Sequence, residues 1–176
     1  MTIEIRRALA GDAATLHEVA AATFALATTE GTAQADIDAF VASTLSLERF
    51  ADYLRDPQRS LFLASVDGVP SGYTMLVFGE PYDADVAACV TARPTVELSK
   101  VYTLASAHGT GLAAELLRVT LDHAREHGAV GVWLGVNRHN PRANAFYEKH
   151  GFRQIGTKNF RVGDRIENDF VRERVL

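Results

Sequence analysis

The sequence predicts a mixed α/β fold built on one sheet. Strand-like runs alternate with stretches of helical period, the pattern of an α/β domain. Two pairs of strand-like runs are joined by links of turn length, as antiparallel pairing requires. The chain's 176 residues, 47% apolar and 23% charged, suit a single folded domain over residues 1–176 and leave no room for a disordered half.

Residues 3–8 form a short strand candidate. Asp12 is placed to cap a helix reaching about Ala25, in which Leu16, Val19, Ala20, Thr23 and Phe24 follow the 3.6 period. Two short helices, 33–43 and 46–55, precede the break at Asp56-Pro57. The runs 60–66 (SLFLASV) and 72–78 (GYTMLVF) flank Asp67-Gly68, a hairpin signal. Residues 80–94 read as a polar, proline-punctuated connection, and 95–104 (TVELSKVYTL) as an alternating strand. A long helix follows over 110–127, with Gly128 as its C′ residue, and then an apolar strand over 130–136. Asn140 as N-cap, Pro141 at the first helical position and Gly151 at C′ delimit a helix over 141–150. Strands at 153–162 and 168–175 close the chain around Gly163-Asp164.

Composition narrows the function. A net charge of −4 opposes nucleic-acid binding as the main task, which leaves a basic footprint. No apolar run approaches the roughly 18 residues of a membrane span. The opening MTIEIRRALAGD lacks the apolar core of a signal peptide. Cys89 is the single cysteine, so no internal disulfide forms and a cytoplasmic location is expected. His17, His123, His127, His139 and His150 lack metal-ligand spacing and read as surface or helix-end residues, so no metal is expected.

The segment His108-Gly109-Thr110-Gly111-Leu112-Ala113 joins the strand ending at Leu104 to the long helix. The first N–H groups of that helix have no internal partner, and its dipole puts positive potential at the same end. Two glycines allow close approach of an anion, and Thr110 offers a hydroxyl, a combination suited to pyrophosphate. A tight strand-to-helix turn without a ligand is the plainer reading. Gly109-x-Gly111-x-x-Ala114 also fits the loose dinucleotide fingerprint. The strand that should end in an acidic residue ends in Asn137, however, and too few βα units follow.

The chain resembles the GCN5-related N-acetyltransferases (GNAT). Their pyrophosphate motif, Q/R-x-x-G-x-G/A, falls on His108-x-x-Gly111-x-Ala113, with histidine in place of Gln or Arg. Their later block, N-x-x-A-x-x-F-Y-x-x-x-G-F, is met by Asn140, Ala143, Phe146, Tyr147, Gly151 and Phe152. Phe160–Asp164 resembles the closing hairpin of bacterial members, polyamine acetyltransferases among them. The resemblance spans nearly the whole chain. It implies a mostly antiparallel, twisted sheet of about seven strands with helices on both faces and a splayed central strand pair. It also implies acetyl-CoA as co-substrate and direct transfer to an amine, with a monomer or homodimer as the working unit.

An alkyl amine of pKa about 10.4 is only about 0.1% neutral near pH 7.4, a deficit of about 4 kcal/mol that a base offsets. Glu97 lies eleven residues before His108, the spacing of the base glutamate in the histone-modifying branch. It reads as that base or as a solvated strand carboxylate. Tyr147 falls on the family's general acid; a core aromatic is its plain alternative. The resemblance sets backbone groups of Tyr102, Thr103 and Leu104 beside pantetheine, with an oxyanion-binding amide near 103. The turn residues His108, Gly109, Thr110, Gly111, Leu112 and Ala113 would take the pyrophosphate. Asn140, Asn144 and Tyr147 share a helical face; Asn140 reads equally as an N-cap, and Asn137 as a pantetheine contact or a turn residue. Glu30, Asp36, Asp38, Glu80, Asp83 and Asp85 occupy the segments where an acceptor enters, either steering a cationic amine or forming a solvated face. A small amine is the expected acceptor. A protein N-terminus or lysine, or a non-catalytic acyl-CoA sensor, is the alternative.

Overall fold

The computed structural model describes residues 1–28 and 30–176, apart from the side chain of Phe160. Its strands are β1 (Ile3–Arg7), β2 (Arg59–Val66), β3 (Val69–Phe78), β4 (Thr95–Thr103), β5 (Gly131–Asn137), β6 (Arg153–Val162) and β7 (Arg165–Val175). They form one sheet in the order β1-β2-β3-β4-β5-β7-β6. Every pairing is antiparallel except that of β4 with β5. The helices are α1 (Ala13–Ala27), α2 (Gln34–Thr44), α3 (Leu47–Arg55), α4 (Ala84–Cys89), α5 (Leu112–Glu126) and α6 (Pro141–Lys149).

Local signals produce the expected joints. Asp67 and Gly68 both take positive φ, 50° and 79°, which matches the twist of β2 and β3 across a two-residue turn. The Asn140 side chain accepts from the amide of Ala143 at 3.0 Å, and Pro141 opens α6.

Three expectations change. The polar stretch 80–94 contains α4, because Asp83 caps it by accepting from the amides of Asp85 (2.9 Å) and Val86 (3.3 Å). Val86 then packs with Trp133 and Val171. Asp12 does not cap α1: its carboxylate takes the Leu9 amide at 2.7 Å and both Arg6 nitrogens at 2.8 Å. Finally, β7 starts at Arg165, since a turn of only Gly163-Asp164 lets Arg165 pair with Val162 at once.

Alternation along the strands divides the core. One face (Leu61, Leu63, Tyr73, Met75) packs on Leu16, Val19, Ala20 and Phe24 of α1 and Phe50 of α3. The other face (Leu76, Val96, Leu98, Val132, Leu134, Val136) packs on Leu117 and Leu121 of α5, with Phe146 and Tyr147 of α6 at its margin.

The sheet opens in the middle. β4 and β5 pair only through Thr95↔Gly131, Val96↔Val132 and Glu97↔Trp133. Beyond that point β4 runs on to Thr103 and β5 to Asn137 with no pairing between them. Just past the split, Leu98 opposes Leu76 and Lys100 opposes Met75, leaving Ser99 as a bulge that re-aims the free edge of β4. No helix among the described residues is long and apolar enough to cross a membrane.

Candidate active site

The gap between β4 and β5 is the natural place for an extended ligand. On the side facing β5, residues 98–103 have no partner strand, and 134–137 have none on the side facing β4. Backbone groups on such edges can pair with a polar chain laid between them. Tyr102 and Thr103 belong to this edge. Leu104 does not, contrary to expectation: its amide donates to the Ser71 carbonyl at 2.8 Å and its carbonyl accepts from Ala107 at 3.0 Å.

A short 3₁₀ turn, Ala105–Ala107, leads from β4 into His108 and the glycines. Gly109 (φ 80°) and Gly111 (φ 86°) both lie in the left-handed region, and no atom stands within 4 Å of where a Cβ would project. The amides of Gly109, Gly111, Ala113 and Ala114 donate to no group among the described residues. Unsatisfied amides at the start of a 15-residue helix make an anion site. The Leu112 amide donates to Thr110 Oγ1 at 3.3 Å, and that hydroxyl donates to the Ala107 carbonyl at 2.6 Å. The expectation of a free Thr110 hydroxyl proton is therefore corrected, because the turn uses it. His108 is half-buried, with no side-chain hydrogen bond among the described residues. Next to Gly111 a shallow groove between α5 and the end of β7 is lined by Arg118, Arg125, Arg174 and His150.

On the face toward α1–α4, β4 presents Glu97, Lys100 and Tyr102, while Leu98 lies in the opposite core. Burial raises the Glu97 carboxyl above its ordinary range, against the pull of Lys158, Lys100 and Arg59. Burial lowers the Lys100 ammonium to about 8, opposed by Glu97 and assisted by Arg59 and Lys158. The Tyr102 phenol is pushed up to about 12 by burial and by the charge of Asp169.

Asp169 is the residue that sequence reasoning missed. It stands opposite Asn137 on one side and Lys158 on the other, in a row crossing β5, β7 and β6. It is 6% exposed, and its Oδ1 is buried with no hydrogen-bond partner among the described residues. Burial raises its carboxyl to about 6, partly offset by Lys158 and reinforced by Glu167. The signal was present in the sequence: Asp169, Val171 and Glu173 alternate on one face of the predicted closing strand, so a carboxylate shares a core-facing side with valine.

Tyr147 projects from α6 toward the gap's other face. Its ring packs edge-on against Phe146 (5.5 Å) and Phe152 (5.7 Å), and its hydroxyl makes no hydrogen bond among the described residues. Burial, and secondarily Tyr102, hold the phenol above its ordinary pKa, so it remains protonated at neutral pH. The asparagines are occupied inside the chain. Asn140 caps α6. Asn144 donates to the carbonyls of Asn137 and Asn140 at 3.0 Å each and accepts from Arg172 Nε at 3.0 Å. Asn137 Oδ1 accepts from the His139 amide at 2.9 Å. Their side chains anchor α6 to the end of β5 and to β7, which holds Tyr147 in place.

A family model described as the acetyltransferase (GNAT) family matches residues 25–152. The chain belongs to the GNAT family. An uncharacterized N-acetyltransferase of Mycobacterium tuberculosis is 46% identical over 165 residues, covering 94% of this chain and 98% of the relative. An uncharacterized N-acetyltransferase of Lactobacillus delbrueckii subsp. lactis is 27% identical over 142 residues, covering 80% of this chain and 79% of the other. Among solved structures, PaiA N-acetyltransferase from Thermoplasma acidophilum in complex with coenzyme A superposes with a TM-score of 0.80 at 22% identity, covering all of both chains. Ribosomal-protein-alanine N-acetyltransferase from Brucella melitensis gives 0.74 at 21% identity, covering 98% of this chain and 99% of that one.

This GNAT chain is thus an N-acetyltransferase, an acyltransferase of a family whose co-substrate is acetyl-CoA. The open strand edges and the glycine turn with its unused amides fit a pantetheine arm and a pyrophosphate. No group of three or more His, Cys, Asp or Glu among the described residues could hold a metal ion.

Proposed function

We propose that the protein moves an acetyl group from acetyl-CoA directly to the primary amine of a small acceptor. The observation that carries this reading is the gap beyond Glu97 and Trp133, with the glycine turn at the end of β4 and titratable groups on its walls. Acetyl-CoA brings an activated thioester. Tyr102 and Thr103 on β4 and residues 134–137 on β5 would hold its arm, and Gly109, Gly111, Ala113 and Ala114 its pyrophosphate. Glu97 holds the site of proton removal. Its raised carboxyl is a stronger base than an ordinary glutamate, which suits a group that takes a proton from an amine. Tyr147 Oη holds a proton that no other group among the described residues claims. A phenol above pKa 10 is a weaker acid than a thiol near 8.5, so its part is to donate a hydrogen bond to developing charge, with full transfer uphill.

The acceptor would enter over α1–α4. Three of the six carboxylates there have local duties: Glu80 pairs with Arg93 at 3.0 Å, Asp83 caps α4, and Asp38 accepts from Gln34 at 2.9 Å. They support a solvated rim more than a steering field. The Glu97 carboxyl already has Lys158, Lys100 and Arg59 acting on it, which favours an acceptor of modest charge over a polycation.

Calorimetry with acetyl-CoA, followed by thiol release against a panel of amines, tests the reading. Binding with amine-dependent release supports it. Binding without release on any amine favours an acyl-CoA sensor or a protein acceptor, and absence of binding removes the glycine turn from the site.

A further inference from the structure

Lys100 is the chain's own amine inside the transfer site. It follows the Ser99 bulge, on the part of β4 whose edge toward β5 is unpaired, and shares a face with Glu97 and Tyr102. No hydrogen bond or ion pair holds its ammonium among the described residues, and Glu97 is its one attractive electrostatic neighbour. The other charged groups acting on it, Arg59 from β2 and Lys158 from β6, are cations. A lysine of structural purpose in such a place is bonded to a carboxylate; this one is held loosely beside a base.

We propose that Lys100 is a self-acetylation site, modified by acetyl-CoA bound in the same gap. The proposal rests on the acetyl-CoA reading above. The neutral Nζ of Lys100 attacks the thioester carbonyl carbon. An N–C amide bond forms, the C–S bond breaks, and its electron pair leaves on sulfur. The amine proton passes to Glu97, and a proton returns to the sulfur, releasing coenzyme A as the thiol. No oxidant or further reactant is needed.

Burial assists the chemistry. With its ammonium near 8, about half of Lys100 is neutral at pH 8, against about 0.4% of an ordinary lysine. The product removes a cation beside Glu97 and fills the acceptor side of the gap, so acetyl-CoA in the absence of acceptor would switch the enzyme off.

The chain contains only three lysines, Lys100, Lys149 and Lys158, so the test is direct. The intact protein is incubated with acetyl-CoA in amine-free buffer, and acetylation is mapped by mass spectrometry and by loss of trypsin cleavage after each lysine. Acetylation of Lys100 is expected at least about tenfold faster than that of exposed Lys149, rising to a plateau above about pH 8 and suppressed by excess coenzyme A. Calorimetry on the same sample separates the two readings. Binding of acetyl-CoA with Lys100 no faster than Lys149, or with labelling indifferent to coenzyme A, overturns self-acetylation alone. Absence of binding overturns both.

Discussion

Glu97 on β4 stands opposite Trp133 on β5 as the last paired position before the two strands part. A carboxylate at the head of a widening gap is half enclosed by sheet on one side and open to ligand on the other. That position is the physical cause of its raised pKa.

Replacing Glu97 by Gln should lower kcat/KM at neutral pH by about 10²–10⁴. The carboxyl serves as a base only when ionised, so wild-type activity should climb as pH passes through its raised pKa and level off above it. The Gln variant should lack that climb. A pH–rate profile of unaltered shape would dismiss Glu97 as the base.

Tyr147→Phe should reduce kcat by roughly 10–100-fold while leaving acetyl-CoA affinity intact, because the ring keeps its packing against Phe146 and Phe152 and only the unbonded hydroxyl is lost. Turnover unchanged across pH 7–9 would reduce the tyrosine to a core aromatic.

Asp169 gives a prediction about stability. Its carboxyl is near 6 in the fold and about 3.9 unfolded, so the folded chain binds its proton more tightly. Stability therefore falls as pH rises from about 4 to about 6, and the ionised form costs up to about 3 kcal/mol above that. Asp169→Asn should stabilise the protein in urea denaturation at pH 7.5 and change little at pH 4. Destabilisation at pH 7.5 would reveal a structural partner for the carboxylate and remove it from the acceptor wall.

Gly111→Ala tests the anion turn. Nothing crowds the new methyl group, but φ of 86° costs an L-residue about 1–2 kcal/mol, and relaxation would turn the neighbouring amides away. Acetyl-CoA should bind about tenfold more weakly by calorimetry. An unchanged Kd would separate the turn from the co-substrate.

The parts legible in the sequence are those set by short-range chemistry. Asp67-Gly68 announces its hairpin because both positions need positive φ, and Asn140-Pro141 with Gly151 bounds α6 by capping alone. The six-residue α4 escaped notice, being too short to show a period within a proline-rich stretch. What non-adjacent strands create was hidden as well. The charge of Asp169 reaches Tyr102 only because β7 joins β5 and β5 parts from β4, and neither event has a local signature. Helical face alone directs Asn140 and Asn144 toward a ligand. Asn144 turned instead to Arg172, a buried cation that also donates to the Phe152 carbonyl at 3.1 Å.

The strand order also has a bearing on how the protein is made. β7 emerges from the ribosome after β6, yet it is β7 that lies against β5. Until it arrives, residues 134–137 of β5 are bare along both edges, the state most prone to pairing with another nascent chain. The glycine turn and the β2–β3 hairpin are thus made before the wall that carries Asp169, which waits on a strand from further along the chain.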